Sequence, residues 1–173
     1  MRLWMVVAAA VIGMDQITKQ LAVRLLQEHE PTRIAPFFNL DLAYNTGAAF
    51  SFLADSAGWQ RWFFVVLALG VSAMIVTWLR RLGPEERWNA MAMALILGGA
   101  LGNAIDRVFF GHVIDFIDVY YMAETCMPLF TPLSIGDGLQ CHWPSFNLAD
   151  SAITVGAVMM VVDAVFPPKK AAL

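Results

Sequence analysis

Two aspartates, Asp115 and Asp150, stand where a pair of carboxylates can do chemistry, because each lies at the border of a long apolar stretch. Two carboxylates at one site can hydrolyse an amide bond: one takes a proton from water and the other gives a proton to the nitrogen. Close carboxylates share one proton and titrate as a pair. Spacing alone leaves a simpler interpretation open, in which Asp150 caps a helix and Asp115 is an ordinary loop carboxylate.

The composition shows which elements must position these aspartates. Of the 173 residues, 59% are apolar and 14% are charged, whereas a soluble domain carries about 25% charged residues. The net charge of −3 argues against a nucleic-acid partner, which requires a basic face. The sequence predicts an all-α polytopic membrane protein, a single domain of four transmembrane helices with a small, partly β platform outside the membrane.

Four apolar stretches have about the length that crosses a bilayer, which is roughly 20 residues for a helix. The first contains the run Leu3–Met14, which we interpret as an uncleaved helix, because its Ala-Ala-Ala element lies in mid-run, too early for a signal-peptide cleavage site. The spans are predicted at about residues 3–26, 62–79, 88–107 and 150–166.

The positions of the basic residues predict the orientation. Arg80, Arg81 and Arg87 flank the short link between the second and third spans, and the positive-inside rule places such links in the cytoplasm. Both termini then lie in the cytoplasm, and the segments at about 27–61 and 108–149 lie outside. The first outer segment contains a strand-like stretch, Phe37–Tyr44, followed by a turn signal. Asp115 and Asp150 are therefore expected at the outer face.

Other polar residues fall inside or at the ends of the predicted spans, where an ionisable group is costly unless it is paired. Asp15 and Lys19 are four positions apart and can neutralise each other on one helix face. Asn103 and Arg107 repeat this spacing at the outer end of the third span. Gly98 and Gly102 form a small-xxx-small pair, which favours close helix packing over chemistry.

Five sequence blocks resemble the lipoprotein signal peptidases (signal peptidase II), bacterial membrane aspartyl proteases, and they occur in the family's order across nearly the whole chain. The blocks are Asp15-Gln-Ile-Thr-Lys19, Tyr44-Asn-Thr-Gly-Ala-Ala-Phe-Ser51, Gly98-Gly-Ala-Leu-Gly-Asn103 through Asp106-Arg107, Val113-Ile-Asp-Phe116 and Phe146-Asn-Leu-Ala-Asp-Ser151.

The resemblance implies that Asp115 and Asp150 are the catalytic residues and that no cofactor or metal is needed. It implies a prolipoprotein substrate carrying diacylglycerol on a cysteine, cut just before that cysteine at the outer face of the bacterial cytoplasmic membrane. Membrane lipid is then a partner, and we expect a monomer. The residues implied to bind substrate or support the site are Asp15, Lys19, Asn45, Gly47, Asn103, Arg107, Asn147 and Ala149.

One segment departs from the family pattern, in which a short link usually joins the two aspartate motifs. Here Met122–Gln140 looks inserted, and its proline and glycine content predicts a surface loop. Cys126 and Cys141 flank most of it on the expected oxidising side of the membrane. We predict a disulfide that closes a loop of about 15 residues and stabilises it by roughly 3 kcal/mol; two free thiols are the alternative.

Two other functions compete with the peptidase. A small proton-coupled transporter would use Asp15, Asp115 and Asp150 as relay carboxylates, but the sequence has no inverted repeat. A metal-dependent hydrolase would use His112, Asp115 and His142, whose spacing matches no common zinc motif.

Overall fold

The computed structural model describes residues 1–47, 58–135 and 138–166. Four helices and five strands follow one another along the chain. The helices are α1 (Arg2–Leu25), α2 (Trp59–Leu79), α3 (Arg87–Phe109) and α4 (Leu148–Val165). The strands are β1 (Thr32–Ala35), β2 (Phe38–Asn45), β3 (Val113–Met122), β4 (Thr131–Ile135) and β5 (Gly138–His142).

The four helices coincide with the four predicted spans, and each helix end differs from the predicted end by three residues or fewer. Within the described residues, all four are long and apolar enough to cross a membrane. Many of their large side chains are exposed, among them Val66 and Leu67 on α2 and Val158 and Val161 on α4. Such all-round apolar surfaces are typical of helices solvated by lipid.

The chain divides into two compact units, and the first comprises Met1–Asp15, Val65–Ile105 and the segment from Leu148 onward. Its helices pack through glycines. A Cβ atom at Gly98 would lie 2.7 Å from the Val11 Cβ of α1, and one at Gly156 would lie 2.6 Å from the Ala92 carbonyl oxygen of α3. Any side chain there would push the helices apart, which confirms a packing role for Gly98.

Polar contacts fasten α3 to α4 elsewhere in this unit. The Asn89 side chain donates to Asp163 Oδ2 at 2.8 Å, and the Trp88 indole donates to the Met159 carbonyl at 2.8 Å. The acidic residue that interrupts the fourth apolar stretch therefore has an amide partner on the neighbouring helix. A buried apolar cluster completes the packing; it consists of Ala8, Ile75, Leu79, Ala90, Met93 and Leu97.

The second unit comprises Gln16–Phe64 and Asp106–Asn147 and contains an antiparallel sheet of order β1-β2-β3-β5-β4. The predicted strand at Phe37–Tyr44 is confirmed as β2. The predicted surface loop in the insert is wrong in part, because β4 and most of β5 form a hairpin there that pairs with the end of β3. The fold is thus mixed helix and sheet, and the all-α class is too narrow.

Candidate active site

Asp115 lies in β3 within the second unit and is only 2% exposed. Its carboxylate accepts hydrogen bonds from two side-chain amides, from Asn147 Nδ2 at 2.7 Å and from Asn45 Nδ2 at 3.1 Å. Asn45 ends β2, two residues beyond Ala43, which pairs with Asp115 in the antiparallel ladder. Asn147 also donates to the Ile114 carbonyl at 3.3 Å. These amides hold the carboxylate without bringing an opposite charge to it.

The turn after β2 is built by two more of the predicted residues. The Gly47 amide donates to Asn45 Oδ1 at 3.0 Å, which closes a local side-chain turn. Arg107 Nη2 donates to the Gly47 carbonyl at 2.7 Å, and its guanidinium carbon lies 4.9 Å from the centre of the Phe64 ring. Arg107 thus orients the turn that presents Asn45 to Asp115. The rest of the block after Gly47, residues 48–51, lies outside the described residues.

Asp106 is the central carboxylate of a second buried cluster, and it is not among the site residues predicted from the sequence. It is 0% exposed and binds Lys19 Nζ at 2.8 Å and Gln16 Nε2 at 2.8 Å. It also accepts from the Ile114 amide at 3.2 Å, one residue before Asp115. A charged residue at the end of an apolar span was the available signal. The predicted pairing of Lys19 with Asp15 stays a prediction.

Asp150 lies in the first turn of α4 within the first unit. Asn103 Nδ2, on α3, donates to Asp150 Oδ1 at 2.8 Å. The Ala149 amide donates to Asp15 Oδ1 at 2.9 Å, so a buried carboxylate of α1 occupies the start of α4. A helix N-terminus stabilises such a negative charge.

Gly102 makes this arrangement possible, because a Cβ atom there would lie 2.7 Å from Asp15 Oδ2. Its role therefore extends beyond the helix packing expected from the small-xxx-small spacing.

The predicted site residues thus fall into three groups. Asn45 and Asn147 bind Asp115, and Gly47 and Arg107 hold the turn of Asn45. Asp15, Asn103 and Ala149 accompany Asp150, and Lys19 binds Asp106.

A further carboxylate of β3, Asp118, forms a separate polar cluster on the sheet. It accepts from Asn39 Nδ2 at 2.8 Å, and its Oδ1 lies 2.8 Å from His142 Nδ1. Burial and the neighbouring Asp118 charge raise the pKa of Asp41, while His29 and His142 oppose that rise. The other ring nitrogen of His142 lies 3.1 Å from Gln140 Oε1.

The residues of the metal-hydrolase hypothesis have different surroundings. His142 binds Asp118, whereas the His112 ring packs at a tilt against Tyr44, with ring centres 4.5 Å apart. Burial lowers the pKa of His112, and the charges of Asp106 and Glu28 oppose that shift. In the part of the chain that the structure describes, no group of three His, Cys, Asp or Glu residues is arranged to hold a metal ion.

Comparison with known proteins gives one family. A sequence model described as signal peptidase (SPase) II matches residues 7–166. A lipoprotein signal peptidase of Aeromonas hydrophila is 47% identical over 97% of this chain and 90% of the relative. One of Pseudomonas syringae pv. tomato is 46% identical over 96% of this chain and 87% of the relative.

Solved structures agree with the sequence matches. A bacterial membrane enzyme determined by the in meso method at 2.3 Å is similar with a TM-score of 0.76 and 26% identity, covering 100% of this chain and 96% of that one. A second, at 1.9 Å, has a TM-score of 0.74 and 26% identity, covering 97% and 96%.

Proposed function

The chain belongs to the signal peptidase II family, and we propose that Asp115 and Asp150 are the two carboxylates with which it activates water. It is a multi-pass bacterial membrane protein and an aspartic endopeptidase that removes the signal peptide from diacylglyceryl-modified prolipoproteins, cutting just before the lipidated cysteine. The family match and the identity of nearly half over almost the whole chain favour this function over a transporter.

One observation carries the pairing of the aspartates: the hydrogen bond from Asn147 to Asp115. Asp150 follows Asn147 by three positions, and three residues of chain span at most about 11 Å even when fully extended. The short segment from Asn147 to Asp150 therefore both binds Asp115 and contains the second aspartate.

The hydrogen-bond donors support catalysis by both groups. Asp115 and Asp150 each accept from side-chain amides, which are neutral at every pH of interest. A side-chain amide fixes the orientation of the carboxylate oxygen that accepts its hydrogen bond. Such carboxylates suit a pair that exchanges one proton during each turnover.

The reaction uses the two carboxyl groups in complementary protonation states. The ionised carboxylate takes a proton from water, and the water oxygen attacks the scissile carbonyl carbon. The protonated carboxyl donates its proton to the carbonyl oxygen. The C–N bond then breaks as the nitrogen receives the proton that came from water, and a hydroxyl of the diol intermediate returns its proton to the other carboxylate. One proton stays with the pair at the end, so the enzyme returns to its starting state.

The cationic residues act as positioning residues in this proposal. Lys19 neutralises Asp106, and Arg107 binds the Gly47 carbonyl. Both therefore set the geometry around Asp115: Asp106 accepts from the adjacent Ile114 amide, and Gly47 belongs to the turn of Asn45. Asp15 has the corresponding task at the start of α4, where it fixes the Ala149 amide next to Asp150.

We also place the site at the outer membrane face, with both termini in the cytoplasm, on the basis of the arginines in the link between α2 and α3. Lys169 and Lys170 follow the fourth span in the sequence, but they lie outside the described residues. A substrate held in the bilayer by its diacylglyceryl chains presents its scissile bond at that boundary, so the enzyme meets it without extracting it. A single copy of the chain contains both aspartates, which supports a monomeric enzyme.

The test is a cleavage assay with purified protein and a lipidated prolipoprotein, comparing the wild type with Asp115→Asn and Asp150→Asn. Each substitution keeps the side-chain volume but removes the acid–base group, so each rate should fall about 10³-fold or more. Asp118→Asn, on the same strand as Asp115, is the matched control and should stay within about tenfold of the wild type.

Cleavage at the wild-type rate by either site variant would refute the pair. Loss of wild-type activity on adding a chelator would point to a metal hydrolase instead. The orientation has its own test, since a label-accessible cysteine introduced in the α2–α3 link should react only from the cytoplasmic side.

A further inference from the structure

Two tight turns of the sheet share an unusual sequence pattern. One is Ala35-Pro36-Phe37-Phe38, between β1 and β2, and the other is Met127-Pro128-Leu129-Phe130, just before β4 in the insert. In each, proline precedes a large apolar residue with a positive φ, +67° at Phe37 and +78° at Leu129. Proline followed by a positive φ is the combination of a type II turn, in which glycine or asparagine normally takes the third position.

The side chains at these positions are directed outward. Phe37 is 57% exposed and Leu129 is 63% exposed. A left-handed backbone is strained for a residue with a bulky side chain, and the exposed part of that side chain brings no compensating burial. The Phe37 ring also packs against Tyr120, with ring centres 6.3 Å apart. Phe37 and Leu129 each combine a strained backbone with an exposed apolar side chain. This combination indicates that each side chain has a binding partner outside the protein chain.

The residues on either side of Leu129 are fixed by contacts with the rest of the sheet. The Phe130 ring packs edge-on against Tyr121 and Trp143, with ring centres 5.0 Å and 5.3 Å away. The Met127 amide donates to the Tyr121 hydroxyl at 2.8 Å. Cys126 and Cys141 form a disulfide, the pairing expected from the sequence, which ties the start of the turn to β5. The turn is therefore rigidly attached to the sheet, and its Leu129 side chain projects outward.

The strand register places the two turns in one row. Phe38 pairs with Val119, the next residue Tyr120 pairs with His142, and His142 pairs with Thr131. Phe37 and Leu129 thus flank the same row from the two sides, separated by about three inter-strand spacings, or roughly 14 Å. Two apolar contacts so far apart fit an extended surface better than a small ligand.

The residues around the Phe37 and Leu129 turns indicate what kind of surface these side chains bind. The sequence from Val113 to His142, which contains the Leu129 turn, has no lysine or arginine, so charge attraction to an anionic partner does not explain affinity at that turn. Six residues join α1 to β1 and three join α3 to β3, so membrane-spanning helices tether the sheet close to the bilayer. Large apolar side chains on a membrane-tethered platform are what an interfacial anchor needs.

We propose that the Phe37 and Leu129 turns bind the bilayer, with both side chains inserted at the boundary between headgroups and acyl chains. The inserted hairpin of this chain thereby supplies a second anchor beside the one between β1 and β2. This inference rests on the proposed placement of the sheet at the outer membrane surface but not on the catalytic pair. Its readout is lipid exposure, which is independent of peptide cleavage.

The test uses spin labels on single added cysteines in protein reconstituted into phosphatidylcholine bilayers. Both native cysteines are in the disulfide, so an added thiol is the one that reacts in the absence of reductant. Labels go at Phe37→Cys and Leu129→Cys, with the exposed acidic neighbours Glu30→Cys and Glu124→Cys as matched controls. Retained prolipoprotein cleavage shows that each labelled protein is folded.

Labels at Phe37 and Leu129 should collide with oxygen, which concentrates in the bilayer, more often than with a water-soluble nickel complex. Labels at Glu30 and Glu124 should show the opposite preference. Equal exposure to the nickel complex at all four positions would overturn the proposal. Spin–spin broadening at Leu129 would also overturn it, since that result would make a second copy of the chain the partner.

Discussion

Strand β3 carries two buried carboxylates three residues apart, Asp115 and Asp118, each 2% exposed and each bonded to an asparagine of β2. They differ in their remaining partners. Asp115 also accepts from the amide of Asn147, whereas Asp118 binds the imidazole of His142 on the inserted hairpin. An amide donor positions a carboxylate, whereas a titratable imidazole can also exchange a proton with it. Burial alone therefore does not mark the catalytic residue.

The largest expected effect sharpens this contrast through chemistry. Asp115→Asn should reduce the cleavage rate about 10³-fold or more while the protein stays folded, because the amide cannot exchange a proton with water. A thermal unfolding curve within a few degrees of the wild type, measured on the same preparation, separates lost chemistry from lost structure. Substantial unfolding of this variant would mean that Asp115 is as structural as Asp118.

Asp106→Asn should disturb the start of β3, where the Ile114 amide donates to Asp106. The substitution leaves Lys19 fully buried without its 2.8 Å carboxylate partner, and removing one member of a buried ion pair costs about 3–5 kcal/mol. Denaturation of detergent-solubilised protein measures the loss. The double variant Asp106→Asn, Lys19→Met should recover part of that stability, since it also removes the ammonium that Asp106→Asn deprives of this partner. If the double variant is less stable than the single variant, the ion pair is not the cause.

Removing the disulfide should destabilise the part of the sheet near Asp118 more than the part near Asp115. Cys126→Ser together with Cys141→Ser removes a link spanning 15 positions, which the chain-entropy model values at about 3 kcal/mol. The loss belongs to the hairpin that carries His142, so hydrogen exchange should rise in β4 and β5 more than around Asp115. Uniform destabilisation of both regions would contradict a local role.

Asp118→Asn should have a smaller effect. It replaces a charged hydrogen bond to His142 by a neutral one, a difference of about 1–2 kcal/mol in stability. The cleavage rate should stay within about tenfold of the wild type because this cluster binds the hairpin. His142→Asn is the reciprocal variant, and a double-mutant cycle measures the coupling between the two.

The smallest effect is expected at Asp41, whose pKa is raised in the folded protein by burial and by the Asp118 charge. The folded protein then binds a proton more tightly than the unfolded chain, so stability falls as pH rises from the ordinary aspartate value of 3.8 through the raised value. Asp41→Asn should remove that fall, stabilise the protein slightly at neutral pH, and have no such effect below about pH 3.8, where both states are protonated. Unfolding curves across this pH range are the measurement.

The four helices were predictable because each is an apolar run near the length of a bilayer crossing. The hairpin was not, since Gly138-Leu-Gln-Cys-His142 has little strand propensity of its own. Its strand structure comes from pairing with β3 and β4, which a linear pattern cannot reveal.

The candidate site divides in the same way. Motif resemblance supplied Asp115, Asp150 and their supporting residues, but it left Asp106 out of the site. The role of Asp106 depends on Gln16 and Lys19, which lie almost 90 positions earlier on another helix. Local spacing can suggest that Lys19 needs a carboxylate, yet only the packing of α1 against α3 shows that Asp106 is such a partner.

The most direct test of the central claim is a double-mutant cycle on the cleavage rate with Asp115→Asn, Asp150→Asn and both together. Two residues that share one proton act as a unit, so the double variant should be about as slow as either single variant. Losses that multiply in the double variant, or a single variant that retains wild-type cleavage, would contradict a shared role for the two aspartates.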